Sequence, residues 1–188
     1  MMLNTLKPAI GRLLIAEPFM LDPEFKRSVV LLTEYTAGEV VGFVLNHASG
    51  LYVNDGVLDF PETDAKLFSG GPCNNERLHF LHRCPDKISG GTDIGNGIFW
   101  GGDFEAVKIM FQLNLITNQD IKFFLGYSGW GTEQLDRELK LNSWIVSDKF
   151  DPSLIFDDEE ENLWKEAVKN LGERYAHIVN FPTNPQLN

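Results

Sequence analysis

The sequence predicts an α+β fold with a mixed or antiparallel sheet, on three observations. Short β-rich apolar runs dominate the first half of the 188 residues, and helical patterns enter only later. Apolar segments recur at short intervals throughout the chain, which argues for a single core. The chain is 43% hydrophobic, with 14 Phe and 4 Trp, and carries no repeat or linker-like tract, so one continuous core and one domain over residues 1–188 are expected.

Each element follows from local chemistry. Residues 12–17 form an apolar run that Pro18 closes, because proline cannot donate to a ladder. Asp22-Pro23-Glu24-Phe25 is a turn with Asp22 as cap. Residues 28–35 and 40–46 are β-rich and flank Thr36-Ala37-Gly38-Glu39, which predicts a hairpin. Residues 47–65 are loop-rich with a short helix near 53–58, and residues 66–69 form a strand stopped by Gly70-Gly71-Pro72. A strand over 77–83 precedes a glycine-rich stretch, 90–102, in which Ile98-Phe99-Trp100 is a brief strand.

Asp103 is the N-cap of a helix over 103–115, whose Phe104, Val107, Phe111 and Leu115 share a face. A strand over 121–127 leads to a two-turn helix capped by Thr132, with Leu135 and Leu139 on one side. A strand over 143–147 follows. The last helix covers about 158–171 with Leu163, Trp164, Ala167, Val168 and Leu171 inward, and Gly172 suits the left-handed position past its end.

Charge and cysteine usage exclude several classes. Sixteen Lys+Arg against 27 Asp+Glu leave a net charge of −11, which opposes a nucleic-acid backbone and makes direct DNA or RNA binding unexpected. No window holds the roughly 18–20 consecutive apolar residues of a membrane span. Residues 1–8 lack a cationic patch followed by an apolar stretch, so no secretory signal is read and the cytoplasm is expected. Cys73 and Cys84 permit at most one disulfide and are expected to be reduced.

The motifs that could carry chemistry are incomplete. No Gly-Lys pair exists for a phosphate loop, and Gly95-Asn96-Gly97 has Trp100 where a dinucleotide fingerprint needs its third glycine. Ser128 sits in Gly-Tyr-Ser-Gly-Trp, not in the Gly-x-Ser-x-Gly of a nucleophile elbow, and is expected in a bend. Cys73, His79, His82 and Cys84 include soft metal ligands, but strand alternation puts His79 opposite His82 and Cys84. A packed thiol pair with one interior and one surface histidine is expected instead, and no metal, cofactor or catalytic residue is assigned. The acidic run Asp157-Asp158-Glu159-Glu160-Glu161 fits the positive end of the last helix and alternatively a partner-docking surface. Asp22, Arg27 and Ser28 interrupt apolar strands, and Arg27 is expected to pair with Asp22 as an ion pair or within a ligand site.

Ordered blocks along nearly the whole chain resemble the bacterial YqgE/AlgH family. They include Gly11-Arg12-Leu13-Leu14-Ile15-Ala16-Glu17-Pro18, Asp22-Pro23-Glu24-Phe25-Lys26-Arg27-Ser28, Val41-Gly42-Phe43-Val44-Leu45-Asn46, Gly70-Gly71-Pro72, Leu81-His82, Gly101-Gly102-Asp103-Phe104 and Phe124-Leu125-Gly126-Tyr127-Ser128-Gly129-Trp130. The resemblance implies an irregular, branched mixed or antiparallel β-sheet, part of it closed like a small barrel and surrounded by helices. It also implies a cytosolic bacterial protein. It supplies no reaction, and the transcriptional-regulator label borne by some members requires no DNA contact.

The leading expectation is a non-enzymatic accessory or regulatory protein that binds an unknown protein partner or a small ligand. Asp22, Arg27, Asn46, His82 and Asp103 would line one depression, with Gly70, Gly71 and Pro72 allowing close backbone approach. The alternatives are an enzyme with His82 as general base beside Asp22 or Asp103, and a DNA-binding regulator, which the charge disfavours.

Overall fold

The computed structural model describes residues 6–157 and 160–181. Ten strands form one branched sheet: β1 (Leu13–Ala16), β2 (Val29–Tyr35), β3 (Glu39–Val44), β4 (Ala48–Tyr52), β5 (Lys66–Ser69), β6 (Cys73–His82), β7 (Thr92–Gly95), β8 (Ile98–Trp100), β9 (Ile121–Gly131) and β10 (Trp144–Ser147). The main path is β10-β1-β2-β3-β9-β6-β8-β7, and β5 branches off β9 and carries β4. Every pairing is antiparallel except β5 with β9, so the sheet is mixed. The two ends of the path do not pair, so among the described residues the sheet is open and the implied barrel-like closure does not form.

Among the described residues four α-helices cover it: α1 (Val53–Gly56), α2 (Phe104–Gln112), α3 (Thr132–Lys140) and α4 (Glu160–Asn170). Alternation along the strands sorts the core into layers. Leu13, Ile15, Val29, Leu31, Phe43 and Phe124 pack with Leu163, Trp164, Ala167 and Val168 of α4. The alternate residues Leu14, Ala16, Val30, Leu32 and Val44 pack with Leu135 of α3. Beyond the branch, Leu67, Phe80 and Phe123 bury Val107 of α2. With both faces of β1 and β2 covered, those strands read as unbroken apolar runs.

Several local expectations need correction. The strand expected over 77–83 begins at Cys73, and its register against β9 shifts between Cys73 and Leu78. Strands β4 and β7 form in segments read as loops. Helix α2 ends at Gln112, because Asn114 takes φ 54° and turns the chain, leaving Leu115 exposed. Strand β9 extends to Gly131, so Ser128 lies within a strand and not in a bend; it is fully buried and donates to Gly70 O at 3.0 Å. Gly131, not Thr132, is the N-cap of α3, and the Thr132 hydroxyl instead donates to Ala37 O at 2.9 Å. Asp158 and Glu159 of the acidic run lie outside the described residues. No helix among the described residues is long and apolar enough to cross a membrane.

Candidate functional site

Arg27 and Asn46 come together, but as part of a backbone staple. Arg27 holds φ 51°, a left-handed conformation uncommon outside glycine. Asn46 Oδ1 accepts from Val29 N at 2.8 Å and its Nδ2 donates to Arg27 O at 2.9 Å, bracketing the strained residue. The Arg27 guanidinium lies 4.5 Å from the Trp164 ring centre and donates to Phe181 O, while its Nε is buried without a partner. The expected pairing with Asp22 is not made: Asp22 Oδ1 accepts from Glu24 N at 3.0 Å and closes its own turn. Ser28 is fully buried with its hydroxyl unpartnered.

Gly70 and Gly71 do permit a close backbone approach, and the backbone approached is that of β9. A Cβ on Gly71, which holds φ 145°, would sit 2.5 Å from Tyr127 O and 2.6 Å from Ser128 N. Pro72 lies beside them at the exposed end of the turn.

His82 is fully buried and holds a glycine segment. Its Nε2 lies 3.0 Å from Gly101 O and must donate, and its Nδ1 accepts from Cys84 N at 3.2 Å. This fixes the neutral tautomer. Desolvation lowers its pKa, opposed in part by the bond to Gly101. With both nitrogens committed to backbone in a buried position, His82 favours the structural role over the general-base alternative. Asp103 is the expected N-cap, accepting from Glu105 N at 3.0 Å and Ala106 N at 3.2 Å, while its own amide donates to Ser89 O at 2.8 Å. His82 and Asp103 therefore sit behind the 89–102 segment and secure it. The Arg27–Asn46 staple adjoins the glycine turn, since Val44 N donates to Gly70 O at 2.9 Å and Ser69 N to His47 O at 2.7 Å, whereas His82 and Asp103 bond to the 89–102 segment; each group is engaged in a local bond.

What the His82–Gly101 bond positions is the wall of a cleft of about 350 Å³. One side is β6 from Arg77 to Phe80; the other is Gly90 and Thr92, then Trp100, Gly101 and Gly102. Gly90, Gly101 and Gly102 hold φ of 77°, 69° and 125°, so this wall needs residues without a Cβ. The cleft exists because β8 covers only Leu81 and His82 of β6 and then turns away at Gly101, whose amide donates to Phe80 O at 2.9 Å. The register shift in β6 lifts Asn74 to Arg77 off β9, and a bulge of this kind re-aims the side chains it carries.

From the sequence, His79 is a soft metal ligand or one of two histidines split between interior and surface. Its ring packs 5.1 Å from Phe43, 6.2 Å from Trp100 and 6.0 Å from Tyr127, centre to centre, while His82 packs against Phe80 and Phe99 on the opposite face. It is half-buried, not a surface residue, and its Nε2 is buried with no hydrogen-bond partner. Desolvation lowers its pKa, and repulsion from Arg77 adds to the effect. The thiols are not a pair, since Cys73 starts β6 and Cys84 follows its end; at about 3.3 Å per residue the strand keeps them well apart. Among the described residues no three His, Cys, Asp or Glu side chains are arranged to hold a metal.

A family profile described as AlgH-like matches residues 13–176. The chain belongs to the AlgH-like family. A UPF0301 protein of Bacteroides fragilis is 40% identical over 98% of this chain and 94% of its own length. The UPF0301 protein CT0663 of Chlorobaculum tepidum is 37% identical over 97% and 96%. The crystal structure of protein DIP2367 from Corynebacterium diphtheriae superposes with a TM-score of 0.78 at 20% identity, covering 94% of each chain. The solution structure of the AlgH protein from Pseudomonas aeruginosa gives 0.72 at 24% identity, covering 94% of this chain and 98% of that one. At these identities the two structures support the α+β AlgH-like fold and carry no reaction.

Proposed function

We propose that this protein is a non-enzymatic, cytoplasmic binding protein whose ligand is a small molecule held in the cleft between β6 and the glycine wall. One observation carries the reading: the half-buried His79 and Trp100 rings and the Arg77 side chain line one volume of about 350 Å³. Clefts of roughly 300–1,000 Å³ suit small ligands.

The test is native mass spectrometry of the protein isolated from its own cells, together with amide NMR during titration with a low-molecular-weight cell extract. A non-covalent adduct, or shifts confined to residues around Trp100 and Gly101, supports the reading when Trp100→Ala removes it. Bare protein mass combined with an unperturbed cleft refutes it.

A further inference from the structure

In a chain with 27 acidic residues and a net charge of −11, the cleft is lined by no carboxylate and by one cation, Arg77. Three other surface cavities differ in this respect: one includes Asp157, one Glu39 and one Glu76. Of the acidic residues adjacent in sequence to the lining, Asp93 and Asp103 are turned to backbone amides, while Glu76 lies in a neighbouring cavity that Arg77 also lines. Asp93 Oδ1 accepts from Gly95 N at 2.8 Å, and Asp103 caps α2. Arg77 makes no ion pair among the described residues.

Resting on the small-ligand reading above, we propose that the cleft takes a small organic carboxylate, with its anionic group at Arg77 beside the His79 ring and its apolar body against Trp100. The sign of the site supports this. The excess negative charge elsewhere repels anions that lack a cationic contact. Arg77 lies close enough to His79 to repel its protonated form, and both line the cleft. The half-buried Trp100 ring offers the apolar surface. The groups that face His79 are Arg77 from its own strand, Trp100 from β8, Tyr127 from β9 and Phe43 from β3. None of them is a carboxylate that would compete with the ligand.

The experiment titrates the full chain with benzoate, with its neutral isostere benzamide, and with inorganic phosphate, reading the Gly101 and Gly102 amides and the His79 ring by NMR. Benzoate is expected to bind more tightly than benzamide, and more tightly still as pH falls, because a bound anion favours the imidazolium. Arg77→Gln is expected to weaken benzoate about tenfold, the size of one charge-assisted hydrogen bond, and to leave benzamide unchanged. Arg77 is exposed on the bulge, so this variant keeps the fold. His79→Gln is expected to abolish the pH dependence while retaining part of the affinity. Benzamide binding as well as benzoate, or an Arg77→Gln variant with unchanged affinity, overturns the carboxylate and leaves the cleft as a ligand site. Phosphate binding more tightly than benzoate overturns the apolar contact. Failure of all three probes, with no adduct from cells, refutes the small-ligand reading itself.

Discussion

Replacing His82 with Phe keeps a planar ring of similar size and removes two hydrogen bonds, so it isolates what the buried imidazole does. Gly101 O loses its donor and Cys84 N loses its acceptor, in a position with no solvent exposure. Each buried group left unpaired costs about 1–3 kcal/mol, so the variant is expected to lose roughly 2–6 kcal/mol against urea. A pH signature separates this from loss of packing. The native pKa of His82 lies below its ordinary value of 6.5, so the unfolded state binds the proton more readily. Stability therefore rises with pH across that window, and it falls as pH drops from the unfolded pKa toward the native one. An imidazole that stays neutral in the native state loses about 1.4 kcal/mol of stability between about pH 7.5 and about pH 5.5. His79 is shifted in the same direction and contributes to the same slope. His82→Phe is expected to reduce that slope. Urea melts at both pH values measure it; a loss below about 1 kcal/mol, or an unchanged slope, contradicts the assignment of His82 as a neutral clamp on the glycine wall.

Gly71→Ala is expected to cost about 3 kcal/mol, because the new Cβ meets the Tyr127 carbonyl oxygen at 2.5 Å and φ 145° disfavours any side chain; thermal denaturation reads it. Asn46→Ala strands Val29 N and Arg27 O and is expected to lose roughly 2–4 kcal/mol; proteolysis is expected to open the 17–28 segment first, and equal protection of that segment contradicts the staple. Glu138→Leu removes the acceptor shared by the indoles of Trp130 at 3.0 Å and Trp144 at 2.7 Å. That loss is expected to be about 2–5 kcal/mol with altered near-ultraviolet circular dichroism, whereas Glu138→Gln retains most of the stability.

Where one element made its own pattern, the fold was legible in the sequence. The apolar runs of β1 and β2, the hairpin after Tyr35 and the Asp103 cap all stand where residue type alone puts them. What escaped was imposed by neighbours. The Gly126–Gly131 stretch has the density of glycine that marks a loop, yet it completes β9 because Gly70 and Gly71 pack onto it backbone to backbone. A side chain at Gly126 would meet Cys73 O at 2.6 Å, so those glycines serve close packing between two chain segments that local sequence cannot link. Strand β7 fails the same way: one buried residue, Ile94, among exposed neighbours gives no alternation to read.

The cleft was hidden for a different reason: its character lies in what three separated segments leave out. Alternation along β6 already put His79 on one face and His82 on the other. It could not reveal that Trp100 would flank that face, or that Asp93 and Asp103 would spend their carboxylates on backbone amides. The expected residues and the cleft are nonetheless connected physically. His82 and Asp103 fix Gly101 and Ser89, those residues border the wall, and the wall defines a space that an acidic protein keeps free of acid. A buried histidine bonded to two backbone groups costs stability whenever pH falls, and a packed apolar residue would not. Retaining it is explicable where the shape it holds matters, which makes the cleft, and not the staple at Arg27, the place to look for a ligand.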